Sequence, residues 1–282
     1  PLSEFPQPIA PSKKPDMLVF SYDRPLQLYA LLESIRQYMS GLSKLSIIYR
    51  ASDERYAKAY EELQMAFPSI NWLKQSSNPH KDFKPLVLQA LKDFSSPYVL
   101  FAVDDIVVKD FVDLSSCIDA MEKTNAYGFY LRLGAHVNHC YMIDQPQAIP
   151  PHLSLGDKMF AWYFSSAQHD WAFAHTLDMT IYRKADVEAA FRRLNYKHPN
   201  RLEQSWAQNQ PKRAIGLCFE QSKIVNLPLN MVNLSDCRQS HFMTTEELLV
   251  KWNEGMKMSI DPLFRVENVS PHIDYTPEFV RR

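Results

Sequence analysis

Apolar residues fall into short continuous runs separated by stretches of helical period. The runs Met17-Leu-Val-Phe20, Leu45-Ser-Ile-Ile-Tyr49, Ile70-Asn-Trp-Leu73 and Tyr98-Val-Leu-Phe-Ala-Val103 read as strands buried on both faces. Between and after them, Leu28, Leu31, Leu32, Ile35 and Tyr38, then Tyr56, Tyr60, Leu63 and Phe67, recur at three- and four-residue intervals. Phe83, Val87, Ala90 and Phe94, then Phe111, Leu114, Ile118 and Met121, do the same. Each set marks the inner stripe of a helix. Four β-then-α units of roughly 25–30 residues suit right-handed crossovers in a parallel sheet. The pattern predicts an α/β domain, with a mostly parallel central sheet flanked by helices.

The second half is less regular. Tyr127–Leu133 and Met179–Tyr182 read as strands, and residues 134–178 between them form a long segment rich in His, Trp, Tyr and Pro. A loop of that length in a compact domain is expected to be a lid or a binding surface. Val187, Ala190, Phe191 and Leu194 line a further helix, and another opens at Leu202. Strands follow around Gly216–Phe219 and Lys223–Asn226. Thr244 and Glu247 form a capping box ahead of Leu248, Leu249 and Trp252. The expected organisation is an extended arm over 1–16, a nucleotide-binding half over 17–126 and a donor-sugar and acceptor half over 127–235. A helix and an irregular, surface-bound polar tail fill 236–282.

Composition narrows the functional classes. The 282 residues carry a net charge of −1, so no global basic field argues for nucleic acid. No apolar run is long enough to span a bilayer. Cys117, Cys140, Cys218 and Cys237 form no Cys-x-x-Cys pair, which argues against a zinc site or disulfide framework and makes a reducing cytoplasm the expected compartment. Peripheral attachment to a membrane stays open. Only six glycines occur, and none lies in the first β-to-α turn, Ser21-Tyr-Asp-Arg-Pro25. Fingerprints that press backbone amides against phosphate are therefore absent, and dinucleotide and P-loop readings fall away.

The chemistry concentrates at Asp104 and Asp105, which end the fourth apolar run. Two adjacent carboxylates at the lip of a sheet repel each other and lose hydration unless a cation or proton compensates. A hard divalent ion shared with a diphosphate would do so. The alternative is that either aspartate only caps the next helix.

Val19-Phe-Ser-Tyr-Asp-Arg-Pro25 with the helix behind it, Ser52-Asp53 after the second strand, and Tyr98–Asp105 resemble three elements of the family 2 nucleotide-sugar glycosyltransferases. The resemblance implies the GT-A fold, a nucleoside-diphosphate sugar donor, a hydroxyl acceptor and Mn²⁺ or Mg²⁺. It places Ser21, Tyr22, Asp23, Arg24 and Asp53 against the nucleotide, Asp104 near the ribose and Asp105 on the metal. Lys84, or Lys81 instead, would meet phosphate, and His241 would be a supplementary metal or phosphate ligand. Val103 stands where the family's Asp-x-Asp has its first acid. Glu203 resembles the acid placed beneath the acceptor, with Asp170 the competing base and Asp178 facing the donor sugar. Glu203 in a first helical turn can equally serve the helix dipole. Trp162, Tyr163 and Trp171 could stack on sugar rings or pack a core. His136 and His139 are permissive for zinc, no more. The rival functions are sugar nucleotidyl transfer and non-catalytic carbohydrate binding.

Overall fold

The computed structural model describes residues 13–230 and 243–282. Nine strands form one sheet: β1 (Asp16–Tyr22), β2 (Leu45–Arg50), β3 (Asn71–Lys74), β4 (Tyr98–Val103), β5 (Gly128–Tyr130), β6 (His152–Gly156), β7 (Met159–Tyr163), β8 (Thr180–Arg183) and β9 (Ile215–Phe219). Their order is β6-β7-β9-β5-β8-β4-β1-β2-β3. β3, β2, β1 and β4 pair in parallel; β8 runs against β4 and β5, β9 is parallel to β5, and β7 runs against β9 and β6. Only β8 and β7 therefore oppose the common direction, and the carboxyl ends of the other strands share one edge.

Helices cover both faces: α1 (Pro25–Tyr38), α2 (Glu54–Ala66), α3 (Pro79–Asp93), α4 (Leu114–Thr124), α5 (Lys184–Arg193), α6 (Pro199–Ala207) and α7 (Thr245–Asn253). Alternation along the strands divides the core. Met17 and Val19 of β1 pack with Leu100 and Ala102 of β4 under α1, α2, α4 and α7. Leu18, Phe20, Val99 and Phe101 face Phe83, Val87, Phe191 and Trp206 of α3, α5 and α6. This is the two-residue period of a strand buried on both sides.

Several elements differ from the sequence reading. The apolar residues beyond Asp104-Asp105 form a strand of their own, Ile106–Val108, which pairs with Ile224–Asn226 in a separate ribbon. Phe111 lies outside the helix it was expected to line and is 58 % exposed, in a ring cluster with Tyr38 and Phe264. α6 begins at Pro199 rather than Leu202, because Pro suits the first helical position and His198 caps the end. The segment 134–178 is not one long loop: it contributes the β6–β7 hairpin to the sheet. The tail also does more than lie on the surface. Met256–Met258 pairs with Phe279–Arg281, and Asn268 and Ser270 are buried.

No helix among the described residues is long and apolar enough to cross a membrane.

Candidate functional site

Strand register assembles the site. Phe20 of β1 lies opposite Val103, and Phe101 lies opposite Thr180, which also faces Tyr130. Tyr22 to Arg24, Asp104, Asp105, Asp178 and Arg132 consequently emerge at one edge of the sheet. This is where open α/β sheets hold ligands.

Arg24 already answers part of the charge of the aspartate pair. Its Nη1 lies 3.0 Å from Asp104 Oδ1 and 3.5 Å from Asp105 Oδ2. Its Nε donates to Asn230 Oδ1 at 2.8 Å and its Nη2 to the Asn230 carbonyl at 2.6 Å. Burial works against the guanidinium charge, but the two carboxylates outweigh it and keep Arg24 protonated. Asp104 is fully engaged, since its Oδ2 also accepts from the Tyr22 N–H at 3.1 Å. Asp105 is not: its Oδ1 is buried with no hydrogen-bond partner. Desolvation, opposed by Arg24 and reinforced by Asp104 and Asp178, pushes its carboxyl up to about 7.

The first turn is shaped by the chain rather than by glycine. Asp23 adopts φ 53° and accepts from the Ser52 N–H at 2.8 Å, tying the turn after β1 to the turn after β2. Burial raises the Asp23 carboxyl. Ser21 Oγ meets the Tyr60 hydroxyl at 2.6 Å, and that hydroxyl accepts from the Arg24 N–H at 3.2 Å. The Arg50 guanidinium lies 4.5 Å from the centre of the half-buried Tyr22 ring.

Across the edge, Glu203 of α6 accepts from the Leu177 N–H at 2.8 Å. Desolvation, with the neighbouring Asp178 charge, raises its carboxyl to about 7, against the pull of that N–H, Thr176 and Arg132. Asp170 is in the opposite condition. Its Oδ1 accepts from Arg132 Nη1 at 2.8 Å, and its Oδ2 accepts from Gln147 at 2.9 Å. Burial favours its acid form, but Arg132 wins and leaves the carboxyl below its ordinary value. A base near neutrality suits proton transfer at pH 7, so Glu203 is better poised than Asp170.

Arg132 and His272 are the residues that sequence reasoning missed. Arg132 is 2 % exposed and lies just beyond β5. His272 comes from the tail. The Asn226 N–H donates to the Pro271 carbonyl and the Ile273 N–H to the Asn226 carbonyl, which seats the imidazole 3.9 Å from Asp178 Oδ2. Burial lowers its proton affinity, so it stands there as a neutral ring.

Other expected residues are not gathered at this edge. Lys84 donates to the carbonyls of Arg192 and Leu194 and lies over the Tyr196 ring, capping the end of α5. Asp53 is the N-cap of α2, accepting from the Arg55 and Tyr56 N–H groups and pairing with the Arg55 guanidinium. It stays beside Ser52, and hence beside Asp23. Trp162 and Trp171 are core residues, 1 % and 0 % exposed. Gly216 of β9 makes room for the first, since a Cβ there would meet the Trp162 ring at 2.6 Å. Tyr163 remains outside, 57 % exposed. His136 bonds Ser222 and His139 bonds Asp144. His241 lies outside the described residues.

A divalent ion fits this site as far as one ligand. Among the described residues no three His, Cys, Asp or Glu side chains converge to hold a metal by themselves. The unpartnered Asp105 Oδ1 is nevertheless a hard oxygen in a locally negative setting, with Asp178 close by. Such an arrangement suits a cation that arrives with a diphosphate and takes its remaining ligands from phosphate and water.

The raised carboxyls set a pH dependence of stability. Asp105 and Glu203 bind protons more tightly folded than unfolded, so the native state holds more protons between about pH 4 and 7. The contribution of these two groups to stability is therefore expected to fall as pH rises through that window, on the order of a few kcal/mol, while buried His175, held down to about 4, works the other way. Urea denaturation of the metal-free protein beside the Asp105→Asn and Glu203→Gln variants checks this, and a stability difference between them that stays flat from pH 5 to 7 would contradict it.

Comparison with known proteins gives the following. No family model matches the chain, and no curated protein matches its sequence. Among solved structures, S. aureus TarS 1–349 in complex with UDP is 13 % identical, over 73 % of this chain and 60 % of that one, with a TM-score of 0.44. UDP-glucose pyrophosphorylase complexed with UDP-glucose is 11 % identical over 86 % and 98 % of the two chains, with a TM-score of 0.40. The 4-diphosphocytidyl-2C-methyl-D-erythritol synthase of Anaerococcus prevotii is 10 % identical over 75 % and 89 %, with a TM-score of 0.39. This chain thus spans about three-fifths of the TarS fragment. Scores of this size carry no assignment, and the architecture rests on the strand order and register.

Proposed function

We propose that the protein is a glycosyltransferase that moves a sugar from a nucleoside-diphosphate donor to a hydroxyl acceptor. One observation carries this reading. Two carboxyls of opposite use, Asp105 with an unpartnered oxygen and Glu203 poised near neutrality, stand at the same edge of the sheet. One suits cation-assisted binding of a diphosphate and the other suits deprotonation of an attacking hydroxyl.

In this reading the turns after β1 and β2 receive the nucleotide, with the Tyr22 ring held by Arg50 as a stacking surface. Asp104 fixes Arg24 and the Tyr22 N–H, so the turn is organised before the donor arrives. Asp105 would hold the divalent ion, which when bound offsets charge on the departing diphosphate. Asp178 borders the donor sugar. Glu203, oriented by the Leu177 N–H, takes the acceptor proton as the glycosidic carbon gains oxocarbenium character. Asp170 instead locks Arg132, whose charge steadies the acidic cluster.

The test is incubation with UDP-, GDP- and CMP-sugars, with and without Mn²⁺ and with and without added pyrophosphate, followed by chromatography of the products. Slow release of free sugar and nucleoside diphosphate, dependent on the ion, is expected. Formation of a nucleoside triphosphate from sugar nucleotide and pyrophosphate would move the assignment to nucleotidyl transfer. No turnover and no binding of any donor would remove the enzymatic reading.

A further inference from the structure

A second feature lies apart from the acidic edge. A groove of about 790 Å³ opens between the start of α3 and the segment joining α5 to α6. His80, Arg193, Lys197, His198 and Arg201 line it, and no carboxylate does. Among the described residues none of its three fixed cations has an acidic partner. Arg201 donates to Gln204 and Arg193 to the Ala189 carbonyl. In a chain of net charge −1 this is a concentration of unanswered positive charge.

Three further observations give the groove the character of an anion receptor. It contains the amino end of the nine-residue helix α6, which has no acid in its first turn to meet the helix dipole. His198 Nδ1 accepts from the Arg201 N–H at 3.3 Å, which in the neutral ring leaves the proton on Nε2 as a donor. Tyr196, 2 % exposed, also lines the groove, and its hydroxyl is buried without a hydrogen-bond partner. Burial keeps that hydroxyl protonated, a donor with no acceptor among the described residues of the protein. Guanidinium, ammonium, imidazole and phenol donors around a helix amino end match the acceptor oxygens of a phosphate ester.

We infer that this groove binds phosphate, and that its several separate cations take more than one phosphate group of the same ligand. Glu203 projects from α6 toward Leu177, whereas Arg201 and Ser205 occupy the opposite, groove-lining side of the helix. The groove is thus a site of its own and does not depend on the sugar-transfer reading.

Calorimetry at low ionic strength with chelator present, using inorganic phosphate, pyrophosphate and tripolyphosphate, tests this. Affinity is expected to rise along that series and to fall steeply with added salt. The surface double variant Lys197→Gln/Arg201→Gln is expected to weaken pyrophosphate at least tenfold, while Asp105→Asn leaves it unchanged. Equal affinity for phosphate and tripolyphosphate would restrict the site to a single phosphate and overturn the multi-phosphate claim. No binding at all, or full binding by the double variant, would overturn the site itself. Circular dichroism and melting of the double variant separate lost binding from lost folding.

Discussion

Glu203→Gln is expected to lower sugar transfer by about 10²–10⁴-fold while leaving nucleotide affinity within a factor of two or so. The amide keeps the shape and can still accept from the Leu177 N–H, so the start of α6 should hold its place. What disappears is a group that can take a proton near pH 7. The rate of the unaltered enzyme should accordingly climb through an apparent pKa near that of Glu203, about 7, and the variant should lack this limb. Initial rates across pH 5.5 to 8.5 would show it. Retained turnover in the variant would transfer the base role elsewhere, and Asp170 would be a poor heir because Arg132 and Gln147 hold both its oxygens.

Asp105→Asn is the second large effect. Nucleotide affinity gained on adding Mn²⁺ is expected to vanish, a loss of tenfold or more by calorimetry, with binding in chelator little changed. The fold should gain stability at neutral pH, because a buried carboxylate that burial pushes up to about 7 is replaced by a neutral amide. A rise in melting temperature together with lost ion dependence separates this role from a structural one. Undiminished response to Mn²⁺ would refute the ligand assignment. Asp104 would not serve as the same probe, since removing it takes away both the nearest carboxylate of Arg24 and the acceptor of the Tyr22 N–H, which disturbs the turn itself.

The parallel half of the sheet was legible because its strands are buried on both faces and its helices on one, so the two periods stood apart in the sequence. Asp104 and Asp105 drew attention because they end an apolar run, with capping of a following helix as the bland alternative; the strand Ile106–Val108 follows them instead, and Asp104 bonds Tyr22 and Arg24. Their first neighbour was not legible. Arg24 was expected to face the nucleotide, yet it turns inward to Asn230, 206 residues away, and nothing local in either sequence signals that pairing. Arg132 falls inside the strand expected over Tyr127–Leu133, where no neighbouring residue signals its partner, and it is almost wholly buried against Asp170. His272 sits in a stretch rich in polar residues and proline, where no period marks a packed element; its place depends on backbone bonds to Asn226. Phe111 misled in the opposite direction, fitting a helical stripe by spacing while lying before Asp113, the cap of α4. The histidines His136 and His139, whose spacing was no more than permissive for zinc, bond Ser222 and Asp144.

The way Asn230 and His272 close over the acidic edge has a bearing on biosynthesis. A ribosome delivers the first four strands and Arg24 long before it delivers the residues that clasp Arg24 and flank Asp178. The nascent chain must therefore carry an incompletely clasped acidic lip until its last portion emerges, a late closure set by sequence separation. A ligand or cation present during synthesis could settle that lip early, which would make yield of folded protein sensitive to the medium in which it is translated.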